Sequence, residues 1–191
     1  MGHEADPSVG SIYHFRSGKT QLLYSYVTIP NSTCFTPDGS TGYFADSALN
    51  LVWRVELNPQ TGLPISERKV FISFDSNVIP DGAIFDSQGN VWIALWGTSK
   101  VAAYRPDGSL LTKLHVSASQ VSCPAFGGAN CSELRVTTAW ANLDETSRSS
   151  QPVQGVFSNF LQHIRVKLRQ CISSDYNDKF SILGHAATKY F

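Results

Sequence analysis

A strand-rich phrase recurs along this chain. The turn Pro37-Asp38-Gly39-Ser40 leads into Gly42-Tyr43-Phe44-Ala45-Asp46-Ser47, then into the alternating run Leu51-Val52-Trp53-Arg54-Val55-Glu56-Leu57. The same order returns at the turn Asp86-Ser87-Gln88-Gly89, followed by Asn90 to Gly97 and Lys100 to Tyr104. A third copy opens at Gly127-Gly128-Ala129-Asn130-Cys131 and enters Glu133 to Ala139. Aligning Gly42 with Asn90 gives an offset of 48, and Asn90 with Glu133 an offset of 43. Periods of roughly 40–50 residues with several strands each mark propeller blades, whose four-stranded sheets bury their faces against one another. No helix-period segment separates the copies, which disfavours a parallel α/β fold. A β-sandwich also gives many short strands, and periodicity alone leaves it open.

Composition narrows the function classes. The chain has 191 residues with 15 basic and 15 acidic side chains. A formal net charge of zero gives no general electrostatic footprint for nucleic acid. The longest apolar run, Val91 to Trp96, falls far short of the roughly 20 residues a bilayer-spanning helix needs. No nucleic-acid or membrane partner is therefore expected. Met1-Gly2-His3-Glu4-Ala5-Asp6-Pro7 has neither a basic nor an apolar leader region, so no signal peptide is expected. Cys34, Cys123, Cys131 and Cys171 form no CxxC pair, and the expectation is reduced thiols in a cytoplasmic protein. The five histidines show no zinc-ligand spacing.

The neutral total conceals an asymmetry. Residues 1–155 carry 10 basic and 13 acidic side chains, whereas residues 156–191 carry 5 and 2. Beyond Gly155, the segment Phe157 to Arg169 reads as a short amphipathic helix with Phe157, Phe160, Leu161, Ile164 and Leu168 on one face. The alternation from Ile164 to Leu168 fits a strand equally. The expected organisation is a propeller region over 1–157 and a divergent basic tail over 158–191.

Four ordered motifs carry a family resemblance. Ile29-Pro30-Asn31-Ser32-Thr33-Cys34-Phe35-Thr36-Pro37-Asp38-Gly39, with Tyr43 to Ser47 after it, resembles the regucalcin/gluconolactonase family of six-bladed propeller lactonases. So do Ile79-Pro80-Asp81-Gly82 to Ala94, Ser122 to Gly128 with Leu134 to Ala139, and Met1 to Glu4 followed by Gly10 to Tyr13. The resemblance implies an all-β, partial six-bladed propeller. At roughly 45 residues per blade, the family-like stretch suffices for about three to four blades.

It also implies chemistry. Members open sugar lactones with one divalent metal held by a Glu, an Asn and an Asp. Asn31 matches the family's Asn, and Asp81 its Asp, which is also the acid/base. Glu4 matches a position that contacts substrate. The resemblance therefore gives metal ligands Asn31 and Asp81, catalytic Asp81 and substrate-binding Glu4. The residue types fit independently: a carboxylate and an amide oxygen are hard donors suited to Ca²⁺, Mg²⁺ or Mn²⁺ and tolerable for Zn²⁺. Asn31 and Asp81 lie near the repeat offset, so equivalent places in adjacent blades would bring them together. The family's Glu ligand, and an Arg and an Asn that grip substrate, would fall before Met1. The expectation is thus a shortened, poorly active lactonase, with a non-catalytic metal-binding fragment as the alternative and a paraoxonase-like esterase less favoured.

Other residues have plainer readings. Pro-Asp-Gly around Asp38 and Asp107 is a turn signal. Asp46 is expected to brace neighbouring strands, and Trp53, Trp92 and Trp96 to pack between blades. Ser32 stands where the family usually has Gly, which would shift the local backbone. The sequons at Asn31 and Asn130 are read as chance occurrences.

Overall fold

The computed structural model describes residues 6–128, 131–151, 158–160 and 184–185. The opening hairpin is β1 (Gly10–Arg16) and β2 (Lys19–Val27). Then come β3 (Pro30–Phe35), β4 (Thr41–Asp46), a 3₁₀ turn (Ser47–Leu49), β5 (Leu51–Glu56) and β6 (Lys69–Ser73). These are followed by β7 (Ile79–Phe85), β8 (Val91–Trp96), β9 (Lys100–Tyr104) and β10 (Leu110–His115). Last are β11 (Val121–Gly127), β12 (Glu133–Thr138), the short helix α1 (Glu145–Ser149), β13 (Ser158–Phe160) and β14 (Gly184–His185).

Among the described residues the strands form four small antiparallel sheets. Two are complete four-stranded meanders, in the orders β3-β4-β5-β6 and β7-β8-β9-β10. Two have three strands each, β14-β1-β2 and β11-β12-β13. Strand β3 packs beside β7, and β7 beside β11. Small sheets joined through their first strands are the radial arrangement of a propeller, and the sandwich alternative is excluded. The expected all-β, partial propeller is what the chain forms. Ser158–Phe160 pairs with β12 as a strand, not a helix; the rest of the 157–169 segment lies outside the described residues, apart from that strand.

The long apolar run has a simple cause. Along β8, side chains alternate between two cores. Val91, Ile93 and Leu95 join Tyr43, Ala45 and Val52 of the preceding sheet. Trp92 and Ala94 join Val121, Leu134 and Val136 of the following one. A strand covered on both faces has no polar side, so Val91 to Leu95 are all buried. Burial of each such side chain contributes about 1.5–3 kcal/mol. Trp92 is 1% exposed, and Trp92 and Phe126 meet edge to face across that junction at 5.8 Å.

Candidate functional site

Strands β3 and β7 bring the two sequence-matched ligands together. Asn31 on β3 lies beside the Asp81 carboxyl on β7 and is among the groups that pull its pKa down. Asn31 Nδ2 also donates to Ser47 Oγ at 3.2 Å. Burial pushes the Asp81 carboxyl up to about 6, although the Asn31 side chain and the Gly82 N–H pull the other way. Among the described residues the one ion pair is Arg135–Glu133, so no Lys or Arg there neutralises Asp81.

The backbone at this place is irregular in the same way three times. The register slips between Asn31 and Cys34 on β3, between Pro80 and Ala83 on β7, and between Val121 and Cys123 on β11. In each case the first strand of the sheet carries one extra residue against its partner. Such bulges twist a strand and re-aim its side chains, and they gather near active sites.

Gly82 explains how β7 and β11 lie so close. A Cβ built there would sit 2.6 Å from Cys123 Sγ and 2.8 Å from the Ser122 carbonyl oxygen. The glycine of Pro80-Asp81-Gly82 is thus a strand-approach residue, not a turn residue. Burial raises the Cys123 thiol, helped by the nearby Asp81 charge, and raises the Cys34 thiol more strongly. Cys34 and Cys123 are free, but Cys131 is disulfide-bonded, which corrects the expectation of reduced thiols throughout. Spacing along the sequence reveals only local cysteine pairs.

The hard-donor pair Asn31 and Asp81 suits a divalent cation, one side chain offering an amide oxygen and the other a carboxylate. Two donors do not complete a coordination shell. Among the described residues no three His, Cys, Asp or Glu converge. Glu4 lies outside the described residues.

Other carboxylates do structural work. Asp46 accepts from the backbone N–H groups of Thr28, Ile29 and Ala48, tying the end of β4 to the β2–β3 connection as expected. Asp38 accepts from Thr36 and Ser40 in its turn, and Asp107 from Ser109. Asp86 is more than the turn residue it resembled. It is 2% exposed and accepts from the Gln88 and Asn90 N–H groups, Asn90 Nδ2 and Trp92 Nε1. The sequence signal missed was the Asp-x-x-x-Asn-x-Trp spacing around one tight turn.

Comparison with known proteins settles the family. The family described as SMP-30/Gluconolactonase/LRE-like region matches residues 1–140. The chain belongs to that family. A family member of Rhizobium meliloti (strain 1021), named for sugar lactone lactonase activity, is 43% identical over 81% of this chain and 53% of its own length. The L-arabinolactonase of Azospirillum brasilense is 32% identical over 85% of this chain and 54% of its own. Among solved structures, the calcium-binding protein regucalcin of Agrobacterium tumefaciens superposes with a TM-score of 0.78 at 40% identity, covering 82% of this chain and 54% of that one. This SMP-30/gluconolactonase-like chain thus spans about half the length of the relatives it matches. Among the described residues, no helix is long and apolar enough to cross a membrane.

Proposed function

We propose that this chain is a metal-dependent sugar lactone hydrolase homologue, with Asn31 and Asp81 as cation ligands and Asp81 as the acid/base. The observation that carries the reading is that β3 and β7 set the Asn31 amide beside the buried Asp81 carboxyl, with Ser32 and Ser47 bonding the Asp81 and Pro80 carbonyls across the two sheets. The bound cation, one of Ca²⁺, Zn²⁺, Mn²⁺ or Mg²⁺, would polarise the lactone carbonyl. Asp81 takes a proton from the attacking water as the new C–O bond forms at the carbonyl carbon. The ring C–O bond then breaks, and the leaving alkoxide recovers a proton, giving an open hydroxy acid. Glu4, matched by family resemblance, is assigned to substrate contact. The lactonase names among the relatives support a small-molecule sugar lactone as substrate. A cytoplasmic location belongs to the same proposal.

One observation favours a second reading. Only two of the donors a cation needs come together among the described residues. A chain that binds a cation without turning over lactone would have that donor set. The test measures Mn²⁺ and Ca²⁺ binding by calorimetry, and hydrolysis of L-arabinono-1,4-lactone and glucono-1,5-lactone by acid release. Metal-dependent hydrolysis abolished by Asp81→Ala establishes the lactonase. Cation binding without hydrolysis selects the second reading. Binding and hydrolysis that both survive Asp81→Ala overturn the site.

A further inference from the structure

We propose that two buried hydroxyls, Ser32 and Ser47, are positioning residues that set the spacing of the Asn31–Asp81 pair; the inference rests on the cation-site reading above. Ser32 Oγ–H donates to the Asp81 carbonyl oxygen. Ser47 Oγ–H donates to the Pro80 carbonyl oxygen and accepts from Asn31 Nδ2. The two serines are 2% and 3% exposed. Both belong to the sheet of β3 to β6 or its 3₁₀ turn, and both grip consecutive carbonyls of β7 in the neighbouring sheet.

The grip falls where β7 has least support of its own. Pro80 has no N–H, and the ladder to β8 is interrupted between Pro80 and Ala83. Carbonyls in such a stretch need partners from elsewhere, and the serine hydroxyls supply them. The Ser47 contact also fixes the Asn31 amide. With Nδ2 committed to Ser47, Oδ1 is the atom left to offer a cation.

Ser32 shows that its hydroxyl is worth retaining. Its φ is +51°, in the left-handed region that costs a side-chain-bearing residue about 1–2 kcal/mol. Glycine would occupy that backbone without strain, but it has no hydroxyl to offer Asp81. Strain kept beside a candidate site is the pattern expected when the side chain has a task there.

The strain separates the positioning role from a structural one. Ser32→Gly relieves the backbone and removes only the hydroxyl contact. Its melting temperature without cation is expected to stay near that of the parent, the relieved strain offsetting the lost hydrogen bond, while Mn²⁺ affinity by calorimetry falls about tenfold, the lower end for losing a group that orients a ligand. Ser47→Ala is expected to lose a comparable factor, with a changed Mn²⁺ electron paramagnetic resonance spectrum. Parental Mn²⁺ affinity in folded Ser32→Gly overturns the positioning role. Asp81→Asn distinguishes the two levels. If it loses Mn²⁺ while Ser32→Gly keeps it, only the positioning inference fails; if Asp81→Asn also keeps it, the site reading fails.

Discussion

Asn31 and Asp81 are drawn together from the first strands of two neighbouring sheets by Ser47, which accepts from Asn31 Nδ2 and donates to the Pro80 carbonyl next to Asp81. The arrangement sets a neutral amide beside a carboxyl that burial has made reluctant to ionise. That has a consequence for the cation-free protein as well as for any ligand.

The first prediction concerns pH. Asp81 titrates at about 6 in the fold, against roughly 4 for an unfolded Asp. Below about pH 4 the group is protonated in both states and contributes nothing. Between 4 and 6 the native state holds the proton that the unfolded chain releases, so this group makes stability fall as pH rises. Above about 6 the full penalty applies, on the order of 2–3 kcal/mol. In chelator, Asp81→Asn should therefore melt near the parent at pH 4 and well above it at pH 7.5. A melting difference that does not change with pH would refute the assignment.

Gly82→Ala should push β7 away from β11. The added methyl meets Cys123 Sγ, Cys123 Cβ and the Ser122 carbonyl, all within 2.8 Å. The expected loss is about 1–3 kcal/mol, as for other overpacked sites, read by urea denaturation. Adding Cys123→Ala should restore little, because the Cβ and the backbone oxygen remain. Full recovery in the double variant would show that the sulfur alone sets the spacing.

Asp86→Ala should destabilise far more than Asp38→Ala, although both residues sit in similar-looking turns. Removing Asp86 leaves buried donors on Asn90 and Trp92 unpaired, a loss on the order of 3 kcal/mol or more. Asp38 is exposed and its partners can turn to water. Comparable denaturation midpoints for the two variants would contradict this.

Arg68→Lys should destabilise the fold, though less than Arg68→Ala. The guanidinium lies 4.5 Å from the Trp53 ring centroid, 5.1 Å from Tyr24 and 5.8 Å from Phe44. It thereby clips β2 to the neighbouring sheet. A planar cation stacks on such rings where an ammonium cannot do so as well. The expected loss is about 1–2 kcal/mol, checked by thermal melting. A lysine variant with parental stability would show that charge alone suffices.

The repeat made the sheets legible, because every blade must reuse one strand and turn pattern to bury its faces. It also placed Asn31 and Asp81 at equivalent points, where the structure joins them. Asp46 was readable as a brace because it follows a strand and precedes a turn. Ser32 and Ser47 were not readable as partners of β7: their hydrogen bonds cross sheets, and a serine carries no mark of a left-handed backbone. Gly82 was hidden by its own tripeptide, which elsewhere in this chain does make turns. Asp86 was read locally, while its significance lies in the indole that folds back onto it.

The extra residue on β3, β7 and β11 has a further consequence. Side chains on a strand switch faces at every step, so one inserted residue inverts the pattern from that point on. On β3 and β7 the part before the slip is thereby decoupled from the part that feeds the hydrophobic cores. Residues ahead of the slip can change without rewriting the apolar alternation downstream. Deleting the extra residue would do the reverse, delivering polar groups to the cores and greasy ones to the site. The fold keeps a hinge in its reading frame, and the chemistry sits on one side of it.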